Sequence, residues 1–340
     1  MRRSNNPSSS RSLLSLAAGL ALALGGCGPN AGNGDDDGTT GPDAGPDHTD
    51  APTATEQCRK MDLVFVIDDS GSMAEEQTSL ANNFPRFATV LNDYRLESGD
   101  DLDYRAAITT TGITATYTIV QPQIPGFPPL PPITQSQTGA NGKFRQTCGM
   151  TRPWLERTDP NMATTFACAA NVGTNGPAIE MPLRAAELAV QNTVNAGFVR
   201  DDALLGIVVI TDEDDCSRRA NPFTTSGDNC AENGDSDVAT VTSFVTGFDQ
   251  TKGERGRWAT AVIAAPADCM SAFGMGANAI RLKQFAQEAG SNAVFADICQ
   301  GNLAPALQSA LDTFQAACEN FPPIGRTVPG RGDHAALPAN

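Results

Sequence analysis

Asp68, Ser70 and Ser72 alternate along Asp68-Asp69-Ser70-Gly71-Ser72, so a single turn can aim three oxygen-bearing side chains at one point. Carboxylate and hydroxyl oxygens together suit a hard divalent cation: Mg²⁺, Mn²⁺ or Ca²⁺. The same residues also fit a second role. Ser72 stands three residues before Glu75 and ahead of an apolar helical run, which is the pattern of a helix capping box. The turn is entered from Val64-Phe65-Val66-Ile67, a continuous apolar run that reads as a strand buried on both faces.

A second segment has the same form. Leu204 to Ile210 is again a buried-strand run, and it ends in Thr211-Asp212. One cation site needs two such strands, each delivering an aspartate at its carboxyl end. Ligands of open α/β sheets sit outside those ends. Just past Asp212, Glu213, Asp214 and Asp215 add three carboxylates. They hold a second Ca²⁺, pin the loop together with a disulfide at Cys216, or form a solvated acidic loop.

Asp68-x-Ser70-x-Ser72 followed far downstream by Thr211-Asp212 resembles the metal-ion-dependent adhesion site (MIDAS) of von Willebrand factor A (vWA) domains. The resemblance covers roughly Cys58 to Cys318. It implies a Rossmann-like vWA fold, α/β in class, with a mostly parallel central sheet and helices on both faces. It implies a metal site of Asp68, Ser70, Ser72 and Asp212, completed by a threonine from a loop between the two aspartate segments. Thr174, in Val172-Gly173-Thr174-Asn175-Gly176, is the first candidate. Thr164, Thr165 and the cluster Thr109 to Thr111 are the others. In that family an acidic side chain from a partner fills the ion's open position. The resemblance therefore implies a protein ligand presenting Asp or Glu, in an adhesion or scaffold role. The run Asp212 to Ser217 is also similar to that of uncharacterised lipid-anchored A-domain proteins of myxobacterial type.

The elements that must position these residues follow from periodicity. Asp62 to Ile67 is the first strand. Leu80, Phe84, Phe87, Leu91 and Tyr94 then recur at helical spacing, with Pro85 expected to kink that helix or shift its start. Tyr104 to Thr111 and Thr114 to Val120 alternate around Gly112 and predict an edge hairpin. Residues 121–171 predict a Pro-rich, irregular insertion, a rigid loop or a polyproline-II recognition segment, on the same rim as the metal. Helices are expected over 177–196, 237–248, 277–289 and 304–318, and strands over 258–264 and 293–296. Alternating strands and helices imply a parallel sheet with right-handed crossovers.

Composition places the chain outside the cytoplasm. Arg2, Arg3 and Arg11 precede an apolar core from Leu13 to Leu24, too short to span a bilayer, which takes about 20 residues. Leu24-Gly25-Gly26-Cys27 resembles a bacterial lipobox, so residues 1–26 are expected to be a signal peptide and Cys27 a lipidated amino terminus. Residues 28–57 hold seven acids and no Lys or Arg, a composition that does not bury enough apolar surface to fold. Such a tether spans roughly 30 Å as a coil. The expectation is an outer-membrane lipoprotein of a Gram-negative bacterium, touching membrane through its lipid alone. The net charge of −16 argues against nucleic acid as a partner.

Nine cysteines are present, so giving Cys27 to lipid leaves an even number to pair in an oxidising compartment. The sequence does not fix which of them pair, though proximity suggests Cys148 with Cys168, Cys216 with Cys230 and Cys269 with Cys299. Cys58 and Cys318 remain at the domain's two ends, and some A domains tie those ends together. The tail 321–340 is Pro- and Gly-rich, and its Arg331-Gly332-Asp333 tripeptide reads as chance. An enzyme is the rival class. The two histidines, His48 and His334, lie in the predicted tails, so histidine-based catalysis within the domain lacks its base. Metal-assisted hydrolysis at Asp68 and Asp212, with Glu213 or Asp214 as base, is the enzymatic alternative. A surface structural protein with a purely stabilising metal is the third reading.

Overall fold

The structure, a computed structural model, describes residues 58–96, 99–121, 123–226, 230, 237–271 and 274–322. The expected signal peptide, Cys27, the tether and the Arg331-Gly332-Asp333 tripeptide lie outside the described residues. In chain order, β1 (Lys60–Ile67) is followed by α1 (Ala74–Asp93), β2 (Asp103–Thr110), β3 (Ala115–Ile119), β4 (Ile133–Gln137) and β5 (Leu155–Glu156). Next come α2 (Met162–Ala170), α3 (Pro182–Ala189), β6 (Leu204–Ile210), β7 (Phe223–Thr225), α4 (Val241–Lys252) and β8 (Trp258–Ala264). The chain closes with β9 (Cys269–Ser271), β10 (Gly274–Gly276), α5 (Ile280–Ala289), β11 (Ala293–Asp297) and α6 (Ala304–Glu319).

The central sheet has the order β11-β8-β6-β1-β2-β5, parallel throughout except for the short antiparallel edge strand β5. This is the Rossmann-like α/β fold expected from the sequence. β1 explains its own composition. Leu63, Phe65 and Ile67 pack into a core with α1, α2 and α6, while Val64 and Val66 pack into a second core with α3, α4 and α5. A strand covered on both sides has no solvent face, so its apolar run is continuous instead of alternating. No helix among the described residues is long and apolar enough to cross a membrane.

Five features differ from the sequence reading. β2 and β3 do not pair as a hairpin. β2 lies fully in register beside β1, whereas β3 joins a separate sheet of order β4-β3-β7. Burial accompanies this arrangement: Ala106 to Thr110 are all enclosed, and each pairs with a residue of β1.

Residues 121–171 are only partly an irregular insertion. They supply β4, β5 and α2, and Phe166 of α2 enters the aromatic cluster of Phe65, Phe84 and Phe87. The Phe65 and Phe166 rings lie 4.9 Å apart, edge to face, a geometry worth about 0.5–1.5 kcal/mol beyond burial. The stretches between β3 and β4 and between β4 and β5 keep the expected irregular form, with most of the prolines in the first.

α1 runs unbroken through Pro85, and α3 is shorter than expected because Pro182 starts it. Phe321, placed in the tail by sequence, is buried against the first core and under the Arg257 guanidinium. Four disulfides are present: Cys58–Cys318, Cys148–Cys168, Cys216–Cys230 and Cys269–Cys299. Such bonds persist in oxidising compartments.

Candidate metal centre

Strand register brings the two aspartate segments together. Ile67 of β1 pairs with Ile210 of β6, and the Asp68 amide donates to the Ile210 carbonyl at 2.9 Å. Asp68 and Asp212 therefore leave adjacent strands at the same sheet end, beyond the last paired residues.

A single 3₁₀ turn, Gly71–Met73, links Ser70 to α1. Neither Ser70 nor Met73, the residues at the two helix starts, caps through a side-chain hydrogen bond. The capping-box role is thus not the one the serines take. Ser72 Oγ donates to Asp212 Oδ1 at 3.3 Å, and the Ser70 and Ser72 hydroxyls lie 2.9 Å apart. Two hydroxyls and the carboxylate of a second strand share one point.

Asp68 is fully enclosed. Its Oδ1 accepts from the Ser70 amide at 2.8 Å and from Thr111 Oγ1 at 3.2 Å, and its Oδ2 accepts from Thr211 Oγ1 at 2.6 Å. Burial nevertheless pushes its carboxyl above the usual range. The surroundings are acidic. Asp212 is pushed up to about 8, first by burial and then by the charges of Asp68, Glu213 and Glu76. Asp69 is raised to about 6 by burial and by Asp68, and Glu76 to about 7 by burial, Glu75 and Asp68. Glu180 is held well above its ordinary value by burial, by Asp68 and by Glu213. Like charges enclosed together cannot all ionise unless a cation joins them.

Of the threonine candidates, Thr111, from the cluster at the end of β2, places its hydroxyl on Asp68 Oδ1; Thr211, which was not among them, reaches Asp68 Oδ2. Thr174 lies in the loop that packs on the neighbouring Asp69. There the Gly176 amide donates to the Asp69 carbonyl, and a Cβ on Gly176 would lie 2.3 Å from Asp69 Oδ1. The loop's approach therefore requires glycine at 176. Thr164 and Thr165 sit on α2.

Asp214 and Asp215 take the loop-pinning alternative. Asp214 accepts from the Arg281 and Leu282 amides at the start of α5. Asp215 accepts from the Leu183 amide of α3 and from the Arg281 guanidinium. Glu213 instead meets Glu180.

Glu180 was missed by sequence reasoning. Its side chain is 1 % exposed, and its Oε1 has no hydrogen-bond partner among the described residues. The available signal was a lone acid inside the apolar run Ile179 to Leu183. Asp69 Oδ1 and Glu76 Oε2 are likewise buried without a partner.

No three His, Cys, Asp or Glu side chains among the described residues form a metal-ligand group. The donor set here is of another kind, two carboxylates with two hydroxyls, and oxygen donors of this sort fit a hard divalent cation. Asp68, Ser70, Ser72 and Asp212 are the residues able to hold it. Asp69 Oδ1, Glu76 Oε2 and Glu180 Oε1 are further buried oxygens without a hydrogen-bond partner among the described residues.

No family model matches the chain, and no curated protein matches it. Solved structures similar to it include proximal thread matrix protein 1 from the mussel byssus, at 10% identity and a TM-score of 0.39. The match covers 75% of this chain and 48% of that one. The pilus adhesin SpaC of Lactobacillus rhamnosus GG matches at 10% identity and 0.40, over 76% of this chain and 30% of its own. Manganese-loaded TRAP protein of Plasmodium vivax matches at 13% and 0.33, over 73% and 74%. The chain spans about half the length of the first and under a third of the second. Likeness at these scores carries no argument about ligand or activity.

Proposed function

We propose that this domain binds a protein partner through a divalent cation held by Asp68, Ser70, Ser72 and Asp212, with the Thr174 loop on its rim. The observation that carries this reading is the turning of Ser72 away from a capping role and onto Asp212. A serine spent on a helix cap would face the α1 amides. This one faces a carboxylate on another strand. The cation would neutralise the enclosed carboxylates and, with two charged donors of its own, keep a position open for a partner Asp or Glu.

In the same reading the chain is exported and anchored through Cys27, and its role is adhesion or scaffolding. The domain binds and carries out no reaction. All eight cysteines between Cys58 and Cys318 are paired, so none is a free nucleophile. Mn²⁺ serves as the test ion because its open positions hold exchangeable water. Water-proton relaxivity of the Mn²⁺-loaded chain is expected to fall when an Asp-containing peptide is added, and to stay level with the matching Asn peptide. Equal response to both peptides would remove partner capture through an acid and leave a purely stabilising ion.

A further inference from the structure

The stretch between β3 and β4 carries no charged residue and is rich in exposed apolar side chains. Among the described residues, the large hydrophobic side chains left exposed include Val120, Ile124, Phe127, Leu130 and Ile133, all on this one arm. Phe127 at its tip is 67% exposed. The rest, Met270, Met275 and Ile280, belong to the region of β9, β10 and α5. No charged residue occurs between Arg105 and Lys143, in a chain whose net charge is −16. Exposed apolar patches of this kind mark contact with a protein or a membrane.

We propose that this arm is a membrane-contacting tip that seats Ile124, Phe127 and Leu130 in the interfacial layer of an uncharged bilayer. The occupant is argued from four features. First, insertion desolvates no ionised group of the arm, because there is none. Second, a backbone entering lipid must have its polar groups satisfied or absent. Pro125, Pro128, Pro129, Pro131 and Pro132 carry no N–H, and the Phe127 amide donates to the Ile124 carbonyl at 3.1 Å. Gln121 Nε2 reaches the Pro131 carbonyl, and Gln123 Nε2 the Phe127 carbonyl. Third, the base is firm, since Ile119 pairs with Ile133 and the Val120 amide donates to the Thr225 carbonyl. Fourth, a bilayer is within reach. This last point rests on the proposed Cys27 anchor, since a chain of the length of residues 28–57 reaches roughly 30 Å as a coil and roughly 90 Å fully extended. An acidic body on a neutral arm favours uncharged lipid over anionic lipid, which would repel it.

The test uses the full chain carrying Cys27→Ser, so that no acyl group contributes, with Phe127→Trp as a probe. Trp258 is buried and Trp154 partly so, and their emission is recorded from the parent lacking the probe. Phosphatidylcholine vesicles with brominated acyl chains are added. The proposal expects a blue shift and quenching of the new tryptophan, roughly tenfold weaker binding when Ile124→Ser and Leu130→Ser are added, and weaker binding to anionic vesicles. Unchanged emission would overturn it, whatever else in the chain touches the vesicle. A blue shift that grows with protein concentration before vesicles are added would also overturn it, in favour of pairing with a second copy. Acylation of Cys27 is read separately, from the mass of the amino-terminal peptide. Failure of the anchor and failure of the arm are therefore distinguishable.

Discussion

β1 carries a buried aspartate at each end, and the two are treated in opposite ways. At its start, Asp62 is enclosed and burial raises its carboxyl as well, but Arg200 opposes that shift: Asp62 accepts from the Arg200 amide at 2.7 Å and from Arg200 Nε at 2.8 Å. Arg200 also meets Asp103 at 2.8 Å, and Lys252 Nζ donates to its carbonyl. At the strand's other end, Asp68 is just as enclosed, yet its side-chain partners are hydroxyls and its charged neighbours named above are carboxylates. The fold thus compensates a buried charge from within where only structure is at stake. At the carboxyl ends of its strands, raised carboxyls stand enclosed among one another, an arrangement that the proposed cation would neutralise. A charge left without its counter-ion costs stability, so the second end is the one to associate with function.

The comparison breaks most visibly at the Asp62 end. Arg200→Ala would strand a buried carboxylate with a single backbone amide, and a loss of about 3–5 kcal/mol is expected by denaturant unfolding. Divalent ions should not restore it. The opposite sign is expected at the Asp68 end. Glu180→Gln removes one of several enclosed like charges, so the metal-free protein should gain on the order of 1–3 kcal/mol at neutral pH while its Mn²⁺ affinity falls.

A pH series sharpens the same contrast. Carboxyls raised in the folded state hold their protons more tightly there than in the unfolded chain, so their contribution is present at low pH and lost as pH rises. Metal-free stability should therefore decline from about pH 4.5, the ordinary glutamate value, toward the value near 8 at Asp212. With Mn²⁺ present the decline should flatten or reverse, because binding requires the deprotonated ligands.

Much of this was legible in the sequence wherever a local pattern carries long-range consequences. Two apolar runs ending in Asp68 and Asp212 imply neighbouring parallel strands, and the register of β1 on β6 makes them meet. The four disulfides match the pairs that proximity suggested and the end-to-end pair that the resemblance implied, although the sequence did not fix the connectivity. The β2–β3 hairpin misled because alternation around Gly112 is a local signal, whereas β2 is held by β1, more than forty residues upstream at paired positions such as Ile67 and Thr110. Phe166 was hidden because α2 sits in a segment whose prolines dominate its first half. Glu180 was hidden because nothing in its neighbourhood reveals that it faces Asp68 and Glu213, which come from distant parts of the chain.

The most direct measurement is calorimetric titration of Mn²⁺ into the metal-stripped chain beside its Asp212→Asn variant. That substitution keeps the side chain's size and its contact with Ser72 while removing the charge. The account predicts one ion per chain for the parent and loss of binding in the variant, with the variant folded and no less stable than the metal-free parent. Equal binding by both proteins, or none by the parent at neutral pH, would contradict a cation site built on Asp68 and Asp212.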